Sequence, residues 1–225
     1  MTAWILRGCL AGAALALLSA CAGGPPPPDW QADAKAALDA AVTAHLKGDS
    51  RVAAQELARA RSQIASTGRP ELMARAELMH CAAQVASLAF EPCTGFERLR
   101  RDAAAAELAY ADHLAARALA REDIERLPPA QRTAATAVAG GSASVGAVQD
   151  IADPLSRLIA IAVLFQAGHA SPQMIALAAD AASAQGWRRP LLAWLKIQAL
   201  QAQRAGDADA AQRLERRIEL VQSGR

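Results

Sequence analysis

Alanine dominates this chain and restricts what it can fold into. Of 225 residues, 60 are alanine, whereas Phe, Tyr and Trp together number 8. Alanine has the highest helix propensity of all residues, and sandwiches and barrels need a supply of β-branched and aromatic residues that this chain lacks. With 53% hydrophobic and 20% charged residues, the chain is also too apolar for a disordered protein. The composition therefore predicts an all-α fold.

Apolar periodicity and turn residues indicate where the helices lie. Between residues 30 and 46, apolar side chains recur at the i, i+3, i+4, i+7 spacing of an amphipathic helix. Gly48-Asp49-Ser50 supplies a stop and an N-cap, and the next helix carries Ala53, Leu57, Ala60 and Ile64 on one face. A third helix carries Leu72, Ala76, Met79 and Ala83 on one stripe and ends before Glu91-Pro92. Further helices are predicted over residues 95–122, 129–138, 155–165, 172–184, 190–204 and 208–221.

The N-terminal residues have the pattern of an export signal. Arg7 precedes an apolar stretch from Cys9 to Ala20, which is too short for a comfortable membrane span. The stretch ends in Leu18-Ser19-Ala20-Cys21, which resembles the lipobox of bacterial lipoproteins. That resemblance implies cleavage before Cys21 and attachment of fatty acyl chains such as palmitate to Cys21. The alternative is an ordinary secretory signal with Cys21 as a free thiol.

The residues after Cys21 extend this expectation to a place in the cell. Ala22, rather than Asp, follows Cys21, and the resemblance then implies sorting to the outer membrane, facing the periplasm. Gly23-Gly24 and four prolines favour an extended polyproline tether up to Asp29. The membrane is thus one expected partner, contacted through the acyl chains on Cys21.

The cysteines predict one disulfide. Cys9 leaves with the signal and Cys21 is acylated, so Cys81 and Cys93 remain as a pair in an oxidising compartment. The alternative is a metal pair with His80, but no further ligands at suitable spacing are visible.

The helical hairpins resemble tetratricopeptide repeats. Gly-Asp turns occur at 48–49 and 206–207, and Gly168 and Gly206 are 38 residues apart. Small residues occupy the helix-packing positions of that family around both turns, namely Ala41, Ala53, Ala60, Ala199 and Ala211. The resemblance implies an α-solenoid of hairpin repeats, although Ala37 and Ala44 replace the family's aromatic residues. A plain helical bundle is the alternative.

Composition shifts divide the chain into five predicted segments. They are a signal peptide (1–20), a Pro-rich tether (21–29), a first helical lobe (30–139), a Gly/Ser loop (140–149) and a second helical lobe (150–225).

The chain contains no motif for catalysis or cofactor binding. The Gly140–Gly146 loop matches no phosphate-binding pattern, and no H-E-x-x-H occurs. The four histidines, at 45, 80, 113 and 169, are scattered, and we interpret each as solvated or capping. A net charge of +2 gives no basic excess for nucleic acid. We therefore expect no catalysis, no cofactor, no metal and no nucleic-acid partner.

The aromatic residues provide the remaining candidates for binding. Trp194, at helical spacing with Leu191 and Leu195, is expected in the core, whereas Trp187 precedes Arg188 and Arg189 in a turn. These last three residues are the candidate contacts for a partner. We expect a non-catalytic scaffold for an envelope protein in envelope assembly, secretion or pilus biogenesis. The alternative is a carrier that binds a lipid or small apolar ligand between the lobes, lined by Leu158–Phe165.

Overall fold

A computed structural model describes residues 28–140 and 142–224, and all regular structure in these ranges is helical. The helices are α1 (Asp29–Lys47), α2 (Ser50–Ala65), α3 (Pro70–Ala86), α4 (Thr94–Glu97), a 3₁₀ turn (Arg100–Asp102), α5 (Ala105–Leu114), α6 (Arg121–Arg126), α7 (Pro129–Gly140), α8 (Val145–Gln149), α9 (Pro154–Gln166), α10 (Pro172–Ala184), α11 (Arg188–Arg204) and α12 (Ala208–Ser223). The predicted all-α fold is confirmed.

Part of the predicted N-terminal organisation lies outside the described residues. This applies to the signal peptide (1–20), to Cys21 and to residues 22–27 of the tether. Pro28 immediately precedes α1, which begins at Asp29. Among the helices of the described ranges, none is both long and apolar enough to cross a bilayer.

The first hairpin forms as its sequence predicts. Gly48 ends α1 with a φ of 90°, a left-handed conformation that glycine adopts without a Cβ clash. The Asp49 carboxylate then caps α2 by accepting the backbone N–H of Val52 at 3.1 Å. The four residues predicted on one face of α2 are its buried residues. The local sequence therefore determines both the turn and the face that α2 presents to α1.

Small side chains fill the contact between paired helices. Ala41 and Ala60 have no exposed surface, and Ala53 is almost completely buried. In the last hairpin, Ala199 and Ala211 are buried in the same way across the α11–α12 turn. Methyl groups at these positions let two helix backbones approach closely. The packing role that the tetratricopeptide resemblance implies for these alanines agrees with their burial.

Helices α3 and α9 form the centre of the molecule. The seven residues from Leu158 to Leu164 are almost fully buried, and α9 packs against α3, α7 and α10. Trp194 of α11 is completely buried, and its indole N–H donates to the carbonyl of Ala86 at the end of α3, at 3.3 Å. Its ring meets Phe165 edge-on with centroids 5.6 Å apart. The predicted core role of Trp194 is confirmed.

The predicted stripe of α3 is wrong at Met79, which is 39% exposed. Helix α3 packs against α1 and α2 on one side and against α5 and α9 on the other. Its buried residues therefore lie around most of the helix, and include Ala74, Leu78 and Val85 on the side opposite the predicted stripe. A one-sided stripe describes a surface helix, not a central one.

The single helix predicted over residues 95–122 is also wrong. The chain forms α4, the 3₁₀ turn and α5 there, and leaves helical structure after Leu114. Ala116 has a φ of 52°, so α5 ends in a left-handed residue that has a Cβ. Alanine carries no sequence signal for such an ending, which explains the error.

The segment predicted as a loop between two lobes contains a short helix. Residues 145–149 form α8, which Ser144 caps by accepting the N–H of Ala147 and which buries Val148. The largest hydrophobic cluster joins residues from both sides of this segment, such as Leu78 and Ile161. The two predicted lobes therefore share one core.

The structure combines pairing of consecutive helices with a contact between its first and last hairpins. Consecutive helices pair as α1–α2, α9–α10, α10–α11 and α11–α12, as in hairpin repeats. Helix α1 also contacts α11, so the first hairpin lies against one of the last helices, as in a bundle. The choice between repeat and bundle stays a prediction, whereas the contact between the first and last hairpins is a feature of the structure.

Enlarging a contact alanine tests the close packing of α1 on α2. We expect Ala60→Leu to lower the free energy of unfolding by about 1–3 kcal/mol, because a completely buried contact has no room for the larger side chain. Ala54→Leu, on the exposed face of the same helix, should change it by about 0.5 kcal/mol at most. Urea unfolding followed by circular dichroism measures both values. Equal effects of the two substitutions would contradict the packing described.

Candidate functional site

A cleft of about 800 Å³ lies where the α1–α2 turn meets α11. The turn contributes Gly48 and Ser50, the end of α3 contributes Ser87 and Leu88, and the end of α12 contributes Gln222. A volume of this size falls within the range of ligand-binding clefts, roughly 300–1,000 Å³. Ser50 and Gln222 are exposed and place a hydroxyl and an amide group at the rim, whereas Ser87 is buried.

One face of α11 forms the opposite wall of the cleft. It contributes Arg188, Arg189, Leu192, Ala193, Lys196 and Ile197, at the spacings of a single helical face. The wall therefore has cationic residues at both ends and apolar residues between them. Two of the three predicted partner contacts, Arg188 and Arg189, lie in this wall, whereas Lys196 was missed although it lies two turns beyond Arg188 on the same face.

Arg189 joins the first hairpin to α11. Its Nε donates to the carbonyl oxygen of His45 at 2.7 Å, and its Nη2 donates to Oγ of Ser50 at 2.7 Å. The His45 carbonyl belongs to the last turn of α1, where a cation is favourable because the helix dipole ends there with partial negative charge. Arg189 thus has a structural role as well as a place in the cleft.

Trp187 supports the same junction from the core side. It is half-buried and packs on a small cluster formed by Val42, Leu46 and Ala83. The structure therefore places Trp187 between α1, α3 and α11, and it is absent from the lining of the cleft. Its role as a partner contact stays a prediction.

Arg188 and Lys196 are the less constrained cations. Arg188 donates to the carbonyl of Gly224 at 3.5 Å and lies over Gly48, where an added Cβ would approach its Nη2 to 3.3 Å. Lys196 is exposed. Within residues 28–140 and 142–224, neither forms an ion pair with a carboxylate. The nearby Asp49 lines a depression formed by α1 and α2 instead and caps α2.

The net negative charge of the helix ends accounts for part of the positive side-chain charge at the cleft, but not for all of it. Helices α1, α3 and α12 all end at the cleft, and α2 and α11 begin there. Each C-terminal end carries about half a negative charge and each N-terminal end about half a positive one, so the helix ends contribute about half a negative charge in total. The three basic side chains outweigh this by about two and a half positive charges. The cleft is therefore suited to an anionic ligand.

The predicted disulfide is present. Cys81 and Cys93 are bonded, with Cα atoms 5.8 Å apart. Cys81 is buried in α3, and Cys93 immediately precedes α4. The bond therefore fastens the irregular segment after α3 back onto that helix. It is structural support for the core, since neither cysteine lines the cationic cleft.

Two histidines lie together beneath the α1–α2 turn. The rings of His45 and His80 are half-buried and meet edge-on, with centroids 5.7 Å apart. Burial, followed by the nearby Arg189 and His80, lowers the pKa of His45 to about 4. Burial also lowers the pKa of His80. Our interpretation of these two residues as solvated or capping is wrong, because each packs in the contact between helices.

His113 departs furthest from that interpretation, because its side chain is almost completely buried. Its Nε2 lies 3.1 Å from Oε1 of Gln131, and Nε2 of Gln131 donates to the carbonyl of Ser156 at 3.0 Å. These bonds link α5, α7 and the start of α9. Burial lowers the pKa of His113 to about 4, although the bond to Gln131 opposes the shift.

In the part of the chain that the structure describes, no three or more His, Cys, Asp or Glu side chains are grouped so as to hold a metal ion.

Comparison with protein-family models, curated proteins and solved structures finds no match to this chain. A functional interpretation therefore depends on the side chains of the cleft.

The buried histidine predicts a pH dependence of stability. Unfolded His113 binds a proton near pH 6.5, whereas the folded residue does so only near 4, so stability falls as the pH drops below 6.5. From pH 7.5 to pH 5 this residue alone should lower the free energy of unfolding by about 2 kcal/mol. His45 and His80 act in the same direction.

Urea unfolding of wild type and His113→Gln across this pH range measures the effect. The variant should lose less stability on acidification, because one of the neutral buried histidines has been removed. An identical loss in the two proteins would contradict the burial of His113.

Proposed function

We propose that this chain is a lipid-anchored scaffold of the bacterial envelope, which faces the periplasm from the outer membrane and docks a partner protein. The lipobox-like Leu18-Ser19-Ala20-Cys21 and the Pro-rich tether support the anchoring. The non-catalytic role rests on the absence of catalytic motifs from the sequence. The helical hairpins support the docking role, because hairpin repeats commonly present binding surfaces of this kind.

The single observation that carries the docking role is the cationic cleft. It is large enough for a segment of a partner, and it holds a surplus of about two and a half positive charges, with no Asp or Glu among the described residues that line it. It also lies at the end of α1 opposite the predicted tether. A helix of 19 residues is about 28 Å long, so the cleft is well separated from the point at which the tether would begin.

The carrier alternative receives less support. It required Leu158–Phe165 to line a cavity between two lobes. Residues 158–164 are instead packed into the shared core, and Phe165 stacks on Phe90 and meets Trp194 edge-on. A lipid could reach this segment only if the core opened.

Site-specific photocrosslinking in the native bacterium tests the proposal. A photoreactive residue at Gln222, on the rim of the cleft, should capture a defined envelope protein, identified by mass spectrometry. The same residue at Gln55, on the exposed face of α2, is the matched control and should capture less of it. The intact mass of the purified protein should correspond to a chain that starts at an acylated Cys21.

Two results would contradict the proposal. One is a mature protein without acyl chains on Cys21, which would remove the anchor. The other is the absence of any envelope protein among the crosslinked products from both positions.

A further inference from the structure

The cationic wall of α11 carries information about the chemistry of the partner. We infer that the cleft binds an extended acidic segment of the partner protein, in which two carboxylates flank one apolar side chain. This inference rests on the proposed docking function and specifies what is docked.

The spacing of the wall residues determines the spacing of the carboxylates. Arg188, Leu192 and Lys196 follow one another at intervals of four residues along the same face of α11. Eight residues of α-helix rise about 12 Å, so the Cα atoms of Arg188 and Lys196 are about this distance apart, with Leu192 midway. Ala193 and Ile197 lie beside this row and widen its apolar centre.

An extended peptide reproduces this spacing. Its backbone rises about 3.3 Å per residue, so residues i and i+4 are about 13 Å apart and point to the same side, as does i+2. The pattern acidic–any–apolar–any–acidic therefore sets a carboxylate at each cation and an apolar side chain on Leu192. Charge-assisted hydrogen bonds to Arg188 and Lys196 would fix the register.

The rim offers hydrogen bonds to the backbone of such a segment. The Ser50 hydroxyl oxygen accepts a bond from Arg189, which leaves its own proton to donate. Gln222 is exposed on the remaining side and has both a donor and an acceptor. An extended backbone, unlike a helical one, presents unpaired N–H and C=O groups to both residues. Ser87 is buried, and its hydroxyl donates to the carbonyl of Ala83.

A phosphate group could also bind two cations, and the apolar centre decides between the two ligands. A lipid headgroup or free phosphate has no apolar group to occupy Leu192 between its charges. The cleft is also at the far end of α1 from the predicted membrane anchor. A peptide segment therefore contacts both the cations and the apolar centre of the wall, whereas a phosphate group contacts only the cations.

Peptide binding to the full chain in detergent tests the inference. Fluorescence anisotropy should detect binding of a labelled peptide containing Glu-Ala-Leu-Ala-Glu in neutral flanks. The Gln-Ala-Leu-Ala-Gln peptide, and a permuted peptide with adjacent glutamates, should bind roughly tenfold more weakly or worse. Lys196→Gln should weaken the first peptide by a similar factor, because it removes one charge-assisted bond from an exposed position.

Arg204→Gln is the matched control, since Arg204 is an exposed cation of the same helix outside the cleft. It should leave the affinity unchanged. Equal binding of the permuted peptide, or equal losses in the Lys196 and Arg204 variants, would overturn the inference. Displacement of the peptide by glycerol phosphate at a comparable concentration would overturn it in favour of a headgroup site.

Failure of this inference is distinguishable from failure of the docking function. Capture of an envelope protein from Gln222, with no binding of the acidic peptide, would leave docking intact and overturn the acidic segment. Failure to capture any envelope protein would instead overturn the docking function on which the inference rests.

Discussion

The close approach of alanine-faced helices is the constraint on which this structure depends. With few aromatic side chains, the chain cannot separate its helices and fill the space between them. It instead buries methyl groups such as those of Ala41 and Ala60, which bring the backbones of α1 and α2 together. Larger apolar residues are concentrated in α9 and around Trp194, where α3, α9 and α11 meet. The hairpin of α1 and α2 packs against this central group of helices, and its turn contacts α11.

That arrangement brings several helix ends to one place. The C-terminal ends of α1, α3 and α12 meet the N-terminal ends of α2 and α11, and unpaired backbone groups and partial charges gather there. Arg189 satisfies one of these ends by bonding the His45 carbonyl and the Ser50 hydroxyl. The positive charge of the basic side chains is larger than the net negative charge of the helix ends. A structural need for cations and a surface suited to an anionic partner thus arise at the same junction.

Much of this fold could be predicted wherever the chain marks its helix ends with specific residues. Gly48-Asp49, Asp153-Pro154 and Ser171-Pro172 each produce the predicted turn or cap, as their hydrogen bonds show. The prediction failed between residues 95 and 122, where α5 ends at an alanine in a left-handed conformation that no residue type announces.

The site was predictable only in part, for a similar reason. Arg188 and Arg189 stand out in the sequence, but the partner of Arg189 is 144 residues away. The burial of His113 likewise depends on Gln131 from another helix. Contacts between residues of different helices cannot be inferred from local sequence patterns.

The contact between the α1–α2 turn and α11 is tested most directly by paramagnetic relaxation. A nitroxide attached to Lys47→Cys, an exposed position at the end of α1, should broaden the amide signals of residues 188–196. The broadening should disappear when the label is reduced. If those signals were as sharp with the active label as with the reduced one, the first hairpin would not lie against α11, and the cleft would not exist as described.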